Sequence, residues 1–170
     1  MLPYVDAVFA FNPQVRKLIL DVKAGGSGVV LHYLLRALVQ SPCVQSLPAL
    51  GAVSAVESSL YSKVRMRVDL AGQMAGYLAA VLDTRLVQAK TVPSFSYQAL
   101  FSKQAQQLQR GSCRGSLVQQ LQQRAQQPGV CHLVVDDVLT SGSSLLRHVV
   151  ALPPGPVRVL TLAVTQQKKK

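Results

Sequence analysis

The residues best suited to chemistry form one continuous segment. Two adjacent carboxylates, Asp136 and Asp137, follow an apolar run, and two apolar residues separate them from a short polar loop. The loop contains Thr140, Ser141, Gly142, Ser143 and Ser144. Gly142 would make room for a phosphate to approach the backbone closely, and the hydroxyls, together with the first amides of a helix beginning near Ser143, could bind it.

Two carboxylates beside a phosphate would repel it unless they have another task. They could accept hydrogen bonds from ribose hydroxyls, or hold the water ligands of a magnesium ion. A ribose carrying a 5'-phosphate fits both parts of the segment. The alternative is structural: Asp137 caps a turn and Ser143 caps the helix that follows.

The elements that must position this segment alternate along the chain. Hydrophobic periodicity predicts strands at residues 49–56, 85–89, 130–135 and 157–164. It predicts helices at residues 13–23, 29–38, 68–82 and 143–151. This alternation is typical of an α/β fold in which helices flank a parallel sheet, where ligands bind beyond the carboxyl ends of the strands.

The 170 residues predict a single domain. Residues 94–127 are rich in Gln and Ser. We expect residues 94–116 to form a mobile loop, which either covers the site or is simply disordered, and residues 117–127 to form a helix. Residues 164–170 form a basic tail, predicted to be disordered. His132, inside a predicted strand, and His148, one helical turn beyond the loop, are predicted to be structural.

Composition excludes several classes of protein. The net charge of +11 favours polyanionic partners, whereas the absence of Trp argues against a base-stacking surface. No apolar run is long enough to span a membrane, and the N-terminus lacks the basic region of a secretory signal, so we expect a cytoplasmic protein. The three cysteines are far apart, which argues against a zinc site or a disulfide framework.

The segment from Asp136 to Ser144 resembles the phosphoribosyl-pyrophosphate-binding motif of type I phosphoribosyltransferases. In that motif a hydrophobic strand precedes two acids, two hydrophobic residues and Thr-Thr/Ser-Gly-x-Thr/Ser. Two further segments, residues 13–25 and 65–75, are similar to the opening and to a helix of the ComF family of competence-associated, phosphoribosyltransferase-like proteins. Residues 103–114 loosely resemble that family's Gln- and Arg-bearing loop. The zinc ribbon of many family members is missing from this sequence.

The resemblance implies a role for each matching residue. Asp136 and Asp137 would bind the ribose, and residues 140–144 would bind the 5'-phosphate. A pyrophosphate loop would include Val56, Glu57 and Ser58, and the cover loop would supply the cations Lys103, Arg110 and Arg114. Magnesium would reach the site with phosphoribosyl pyrophosphate, near the two acids, and no residue is predicted to bind it directly.

The resemblance implies a glycosyltransferase that moves a phosphoribosyl group to an acceptor the sequence does not identify. Glu57 places a negative charge where pyrophosphate would leave, so we expect transfer to be slow or absent. Two alternatives stay open. One is a non-catalytic adaptor in DNA uptake, with a helicase-like partner; the other is a basic domain that binds nucleic acid such as single-stranded DNA. A homodimer is a further open possibility.

Overall fold

A computed structural model of the chain describes residues 4–57, 66–88 and 103–165. These residues form a five-stranded sheet in which all neighbouring strands are parallel, in the order β1-β5-β4-β2-β3. The strands are β1 (Val5–Ala10), β2 (Leu50–Ala55), β3 (Arg85–Leu86), β4 (Cys131–Leu139) and β5 (Val157–Val164). The predicted α/β class is confirmed.

Helices cover both faces of the sheet. They are α1 (Pro13–Lys23), α2 (Gly28–Gln40), α3 (Pro42–Gln45), α4 (Leu70–Val81), α5 (Lys103–Ala125) and α6 (Ser143–Ala151). On one face, α1, α2 and α4 bury residues such as Val22, Leu34 and Met74 against the sheet. On the other face, α5 and α6 bury residues such as Leu121 and Val149. Among the described residues, no helix is long and apolar enough to cross a membrane.

The start of α6 differs from the starts of three other helices. Asn12, Ser27 and Asp69 each accept a hydrogen bond from a backbone amide in the first turn of α1, α2 and α4. Helix α6 begins at Ser143, and its N-cap residue, Gly142, has no side chain to accept a hydrogen bond. The Ser143 amide donates only a long hydrogen bond, 3.4 Å, to Oγ of Ser141, and the amides of Ser144 and Leu145 remain as donors for another group.

The predicted elements agree with the structure except at several places. Residues 5–10 and 42–45 were not predicted to be regular, yet they form β1 and α3. The strand predicted at residues 85–89 is shorter, ending at Leu86, and β4 continues past the predicted end at residue 135. Val164, assigned to the tail, is the last residue of β5, and residues 166–170 lie outside the described residues.

The prediction of a mobile cover loop over residues 94–116 is wrong from Lys103 onward. Helix α5 begins there and runs without interruption to Ala125. Gln, Ala, Leu, Lys and Arg all have high helix propensity, so this segment favours a helix although its composition is polar. Leu117 and Leu121, one turn apart, are fully buried and attach the helix to the sheet. Residues 94–102 lie outside the described part of the chain.

A buried polar cluster lies beneath α6. The Ser54 hydroxyl is 2.8 Å from Nε2 of His148 and 2.9 Å from Nε2 of His132. The hydroxyl carries one proton, so it can donate to one imidazole and must accept from the other. Ser54 and His148 are fully buried, and Nδ1 of His148 has no hydrogen-bond partner among the described residues. Both histidines contribute to packing, as predicted.

We expect His148 to make the fold sensitive to acid. Burial, with a smaller contribution from His132, lowers the pKa of His148 to about 4. In the unfolded chain a histidine has a pKa of about 6.5, so between these values the unfolded state binds the proton and the folded state does not. Stability is therefore complete above about pH 6.5 and falls by roughly 2–3 kcal/mol as the pH falls toward about 4.

Urea unfolding of the wild type and of His148→Phe across this pH range measures the effect. The variant should lose clearly less stability than the wild type on acidification, because its buried ring does not titrate. His32 is exposed on α2, so His32→Phe is the matched control and should behave as the wild type does. An equal loss in all three proteins would contradict the assignment.

Candidate functional site

The candidate site lies where β4 extends beyond its neighbour. The last pairing between β2 and β4 joins Ala55 to Val135, followed by a hydrogen bond from the Val56 amide to the Val135 carbonyl. Strand β4 continues to Leu139, paired on its other side with β5. Residues 136–139 therefore have one open edge.

The chain leaves β2 and β4 in opposite directions. After β2 it leads to α4, which packs on the face of α1 and α2, and after β4 it leads to α6 on the other face. Such a reversal opens a crevice at the carboxyl ends of the two strands, the usual ligand site in open parallel sheets.

A pocket of about 240 Å³ occupies this crevice. It brings together residues that the sequence predicted for the site, from the ends of β2 and β4 and from the loop before α6. The lining residues are Lys23, Val56, Glu57, Asp136, Asp137, Val138, Leu139, Thr140, Ser141, Gly142, Ser143, Ser144 and Leu145. Of the predicted pyrophosphate loop, Val56 and Glu57 line the pocket, and Ser58 lies outside the described residues.

The two carboxylates are held by the backbone that follows them. Oδ1 of Asp136 accepts a hydrogen bond from the Asp137 amide at 2.9 Å, and Oδ1 of Asp137 accepts one from the Val138 amide at 2.6 Å. Oδ2 of Asp137 forms an ion pair with the ammonium of Lys23. These contacts fix both carboxylates within β4. Oδ2 of Asp136 remains for a ligand hydroxyl, whereas both oxygens of Asp137 already have a partner.

The surroundings of Asp136 favour the protonated form of its carboxyl. Burial, and secondly the charge of Asp137, raise the pKa of Asp136 to about 7, while the Asp137 amide and Lys23 act in the opposite direction. Around neutrality this carboxyl can therefore both donate and accept hydrogen bonds. A sugar hydroxyl, which also does both, is a suitable partner.

The opposite wall of the pocket is the first turn of α6. Ser143 and Ser144 line the pocket, and Oγ of Ser143 lies 3.1 Å from Oγ of Ser141. A helix N-terminus with unsatisfied amides and a positive dipole end favours a negatively charged group. The pocket thus combines an anion-binding wall with a carboxylate pair.

Gly142 has a different role from the one its sequence context predicts. Its φ of +77° is a left-handed conformation that favours glycine. A Cβ at this position would lie 3.0 Å from Cδ2 of Leu117 and 3.5 Å from Cδ1 of Leu139. The missing side chain therefore makes room for α5 and the core, and the prediction that it makes room for the phosphate is wrong.

Arg114 is a positioning residue, which corrects its assignment to a mobile cover loop. Its Nε donates to the Thr140 carbonyl at 2.7 Å, and its Nη2 donates to the carbonyl and hydroxyl of Thr165 at 2.9 and 3.0 Å. The side chain is largely buried, so its planar fork of donors joins α5 to the loop before α6. Lys103 and Arg110 belong to α5, and their side chains lie outside the described residues.

Lys23 is the site residue that sequence reasoning missed. It lies within residues 13–25, which resemble the opening of the ComF family, but this resemblance gave it no role in the site, and a lysine at the end of a helix normally complements the helix dipole. Its position at the pocket depends on the packing of α1 against the sheet. This packing places Lys23 beside Asp137, although the two residues are more than one hundred positions apart in the chain.

Comparisons of the chain with protein-family models, curated proteins and solved structures give no match. Within residues 4–57, 66–88 and 103–165, no group of three or more His, Cys, Asp or Glu side chains could hold a metal ion.

We expect Asp136→Asn to stabilise the protein at neutral pH. A carboxyl in the unfolded chain has a pKa of about 4, so above this pH ionisation favours the unfolded state until the folded pKa is reached. Asp136 therefore costs stability, and asparagine, which has the same shape, removes the cost. The gain should be roughly 1–3 kcal/mol near pH 7.5 and close to zero near pH 4.

Chemical denaturation at both pH values measures this gain. Asp83 is exposed, so Asp83→Asn is the control and should leave stability unchanged at either pH. Destabilisation by Asp136→Asn near pH 7.5 would show that the charged carboxylate supports the fold, and would contradict this account.

Proposed function

We propose that the protein binds a phosphorylated ribose, with phosphoribosyl pyrophosphate as the leading candidate, in the pocket between β4 and α6. The observation that carries the proposal is the position of two carboxylates opposite an uncapped helix N-terminus in one crevice. A ligand for this pocket needs hydroxyl donors for the carboxylates and an anionic group for the helix.

Charge explains why the ligand should have both groups. A phosphate alone would be attracted by the first turn of α6 and repelled by Asp136 and Asp137. A neutral sugar would satisfy the carboxylates and leave the amides of the turn to water. A sugar phosphate satisfies both, and partial protonation of Asp136 near neutral pH reduces the repulsion.

The finer assignment, a type I phosphoribosyltransferase-like protein related to the ComF family, is part of this proposal. Its support is the motif in the sequence and the location of that motif beside β2 in a parallel sheet. Magnesium fits the site as a companion of the ligand, because Asp136 and Asp137 offer oxygen atoms to its water shell. When bound, the ion would neutralise charge on the ligand's pyrophosphate.

In a phosphoribosyl transfer these residues would position the substrate. Asp136 and Asp137 would hold the ribose hydroxyls, and the first turn of α6 would hold the 5'-phosphate, which leaves the anomeric carbon exposed to an acceptor. Glu57 also lines the pocket. Two like charges about 4 Å apart repel by roughly 4 kcal/mol at an effective dielectric constant near 20. We therefore propose that binding is the main activity and that transfer is slow.

The proposal predicts that a charge at the start of α6 blocks the ligand while preserving the fold. Ser144 is exposed in the first turn, where an aspartate stabilises a helix through its dipole but repels a phosphate. In isothermal titration with ribose 5-phosphate and magnesium, Ser144→Asp should raise the Kd at least tenfold. The melting temperature should be unchanged or higher.

Val29→Asp is the matched control. Val29 is exposed at the equivalent position of α2, the second residue of the helix, so this variant makes the same charge change away from the pocket. It should bind as the wild type does. Equal affinities for all three proteins would contradict the site, and tight binding of single-stranded DNA that Ser144→Asp does not alter would favour a basic nucleic-acid-binding domain.

A further inference from the structure

Lys23 is the only cation among the described residues that line the pocket. Its ammonium pairs with Oδ2 of Asp137, and the two side chains are 20% and 12% exposed. Helix α1 ends at Lys23, and its Ile19 and Val22 are buried in the core. The pairing is therefore made by a side chain on a firmly packed helix.

The backbone of Lys23 is also fixed. Its carbonyl oxygen accepts hydrogen bonds from the amides of Arg67 and Val68, at 2.9 and 3.2 Å. Only the side chain is left to move, and its length allows the ammonium to change partners within the pocket.

Lys23 and α6 lie on opposite sides of β4. Helix α1 packs on the face shared with α2 and α4, whereas α6 packs on the other face. The two carboxylates lie between them, at the end of β4. Across the pocket, the ammonium of Lys23 therefore comes first, the two carboxylates lie in the middle, and the positive end of the α6 dipole lies on the far side.

We propose that Lys23 binds a second anionic group of the ligand and so selects a sugar with anionic groups at both ends. This rests on the proposed function, because it assumes that the first anionic group lies at α6. As the ligand's hydroxyls approach Asp137, the ammonium of Lys23 leaves that carboxylate and forms an ion pair with an oxygen of the second anionic group. One ion pair is exchanged for another, and no charge is left without a partner.

Because of this exchange, the binding of one end of the ligand depends on the binding of the other end. A sugar with one phosphate must separate Lys23 from Asp137 without offering the ammonium a new partner. A sugar with a pyrophosphate at its other end does offer one. Lys23 should therefore contribute to the preference for phosphoribosyl pyrophosphate over ribose 5-phosphate.

Titration of both ligands in the presence of magnesium tests this inference. Lys23→Met should lower the affinity for phosphoribosyl pyrophosphate by roughly tenfold or more, the loss expected for a charged hydrogen bond. It should leave ribose 5-phosphate unchanged or bound more tightly, because Asp137 becomes free. Lys17 is exposed on the same helix, so Lys17→Met is the control and should change neither affinity.

The outcomes separate the two proposals. If the wild type binds neither ligand, the proposed function is wrong. Suppose instead that the wild type binds both ligands, and that Lys23→Met lowers both affinities equally or lowers neither. The site then stands, and the proposed role of Lys23 is wrong.

A measurement on the wild type covers the case in which Lys23→Met does not fold. Acetylation of lysines, read by mass spectrometry, should modify Lys23 more slowly with phosphoribosyl pyrophosphate than with ribose 5-phosphate. Lys17 should react equally with both ligands. Equal reactivity of Lys23 would overturn the inference.

Discussion

The site depends on one constraint of the sheet: β4 is longer than β2 at its carboxyl end. Residues 136–139 extend past the last pairing with β2, and the chain leaves the two strands toward opposite faces. Beyond this edge the structure brings together the loop before α6, the end of α1 and the turn after β2. Together with β4 itself and the first turn of α6, these elements position the polar groups of the pocket.

The pocket illustrates how binding and stability can oppose each other. Asp136 is buried next to a second carboxylate, an arrangement that raises its pKa and costs folding free energy at neutral pH. Lys23 and the backbone amide of Asp137 offset part of this cost. Arg114 and the left-handed Gly142 hold the adjoining loop in place. The rest of the fold thus supports a carboxyl, that of Asp136, whose ionisation does not stabilise it.

The sequence predicted what is encoded locally. The apolar run, the acids and the hydroxyl-rich loop are contiguous, so their order alone predicts a strand followed by the start of α6. The end of β4 was predicted too early, because the strand continues through both acids to Leu139. Lys23 and Arg114 could not be assigned in this way, because their contacts join segments distant in the chain. Helix α5 was missed between residues 103 and 116, because a Gln-rich composition suits both a polar helix and a loop.

An NMR titration of backbone amides with ribose 5-phosphate tests the central claim most directly. The amides of residues 137–138 and of the first turn of α6 should shift together and saturate at one common Kd. Amides at the opposite end of the sheet, where Tyr4, Val130 and Val157 line a separate groove, should not move. Shifts confined to that groove, or scattered over the basic surface without saturation, would contradict a phosphorylated-ribose site between β4 and α6.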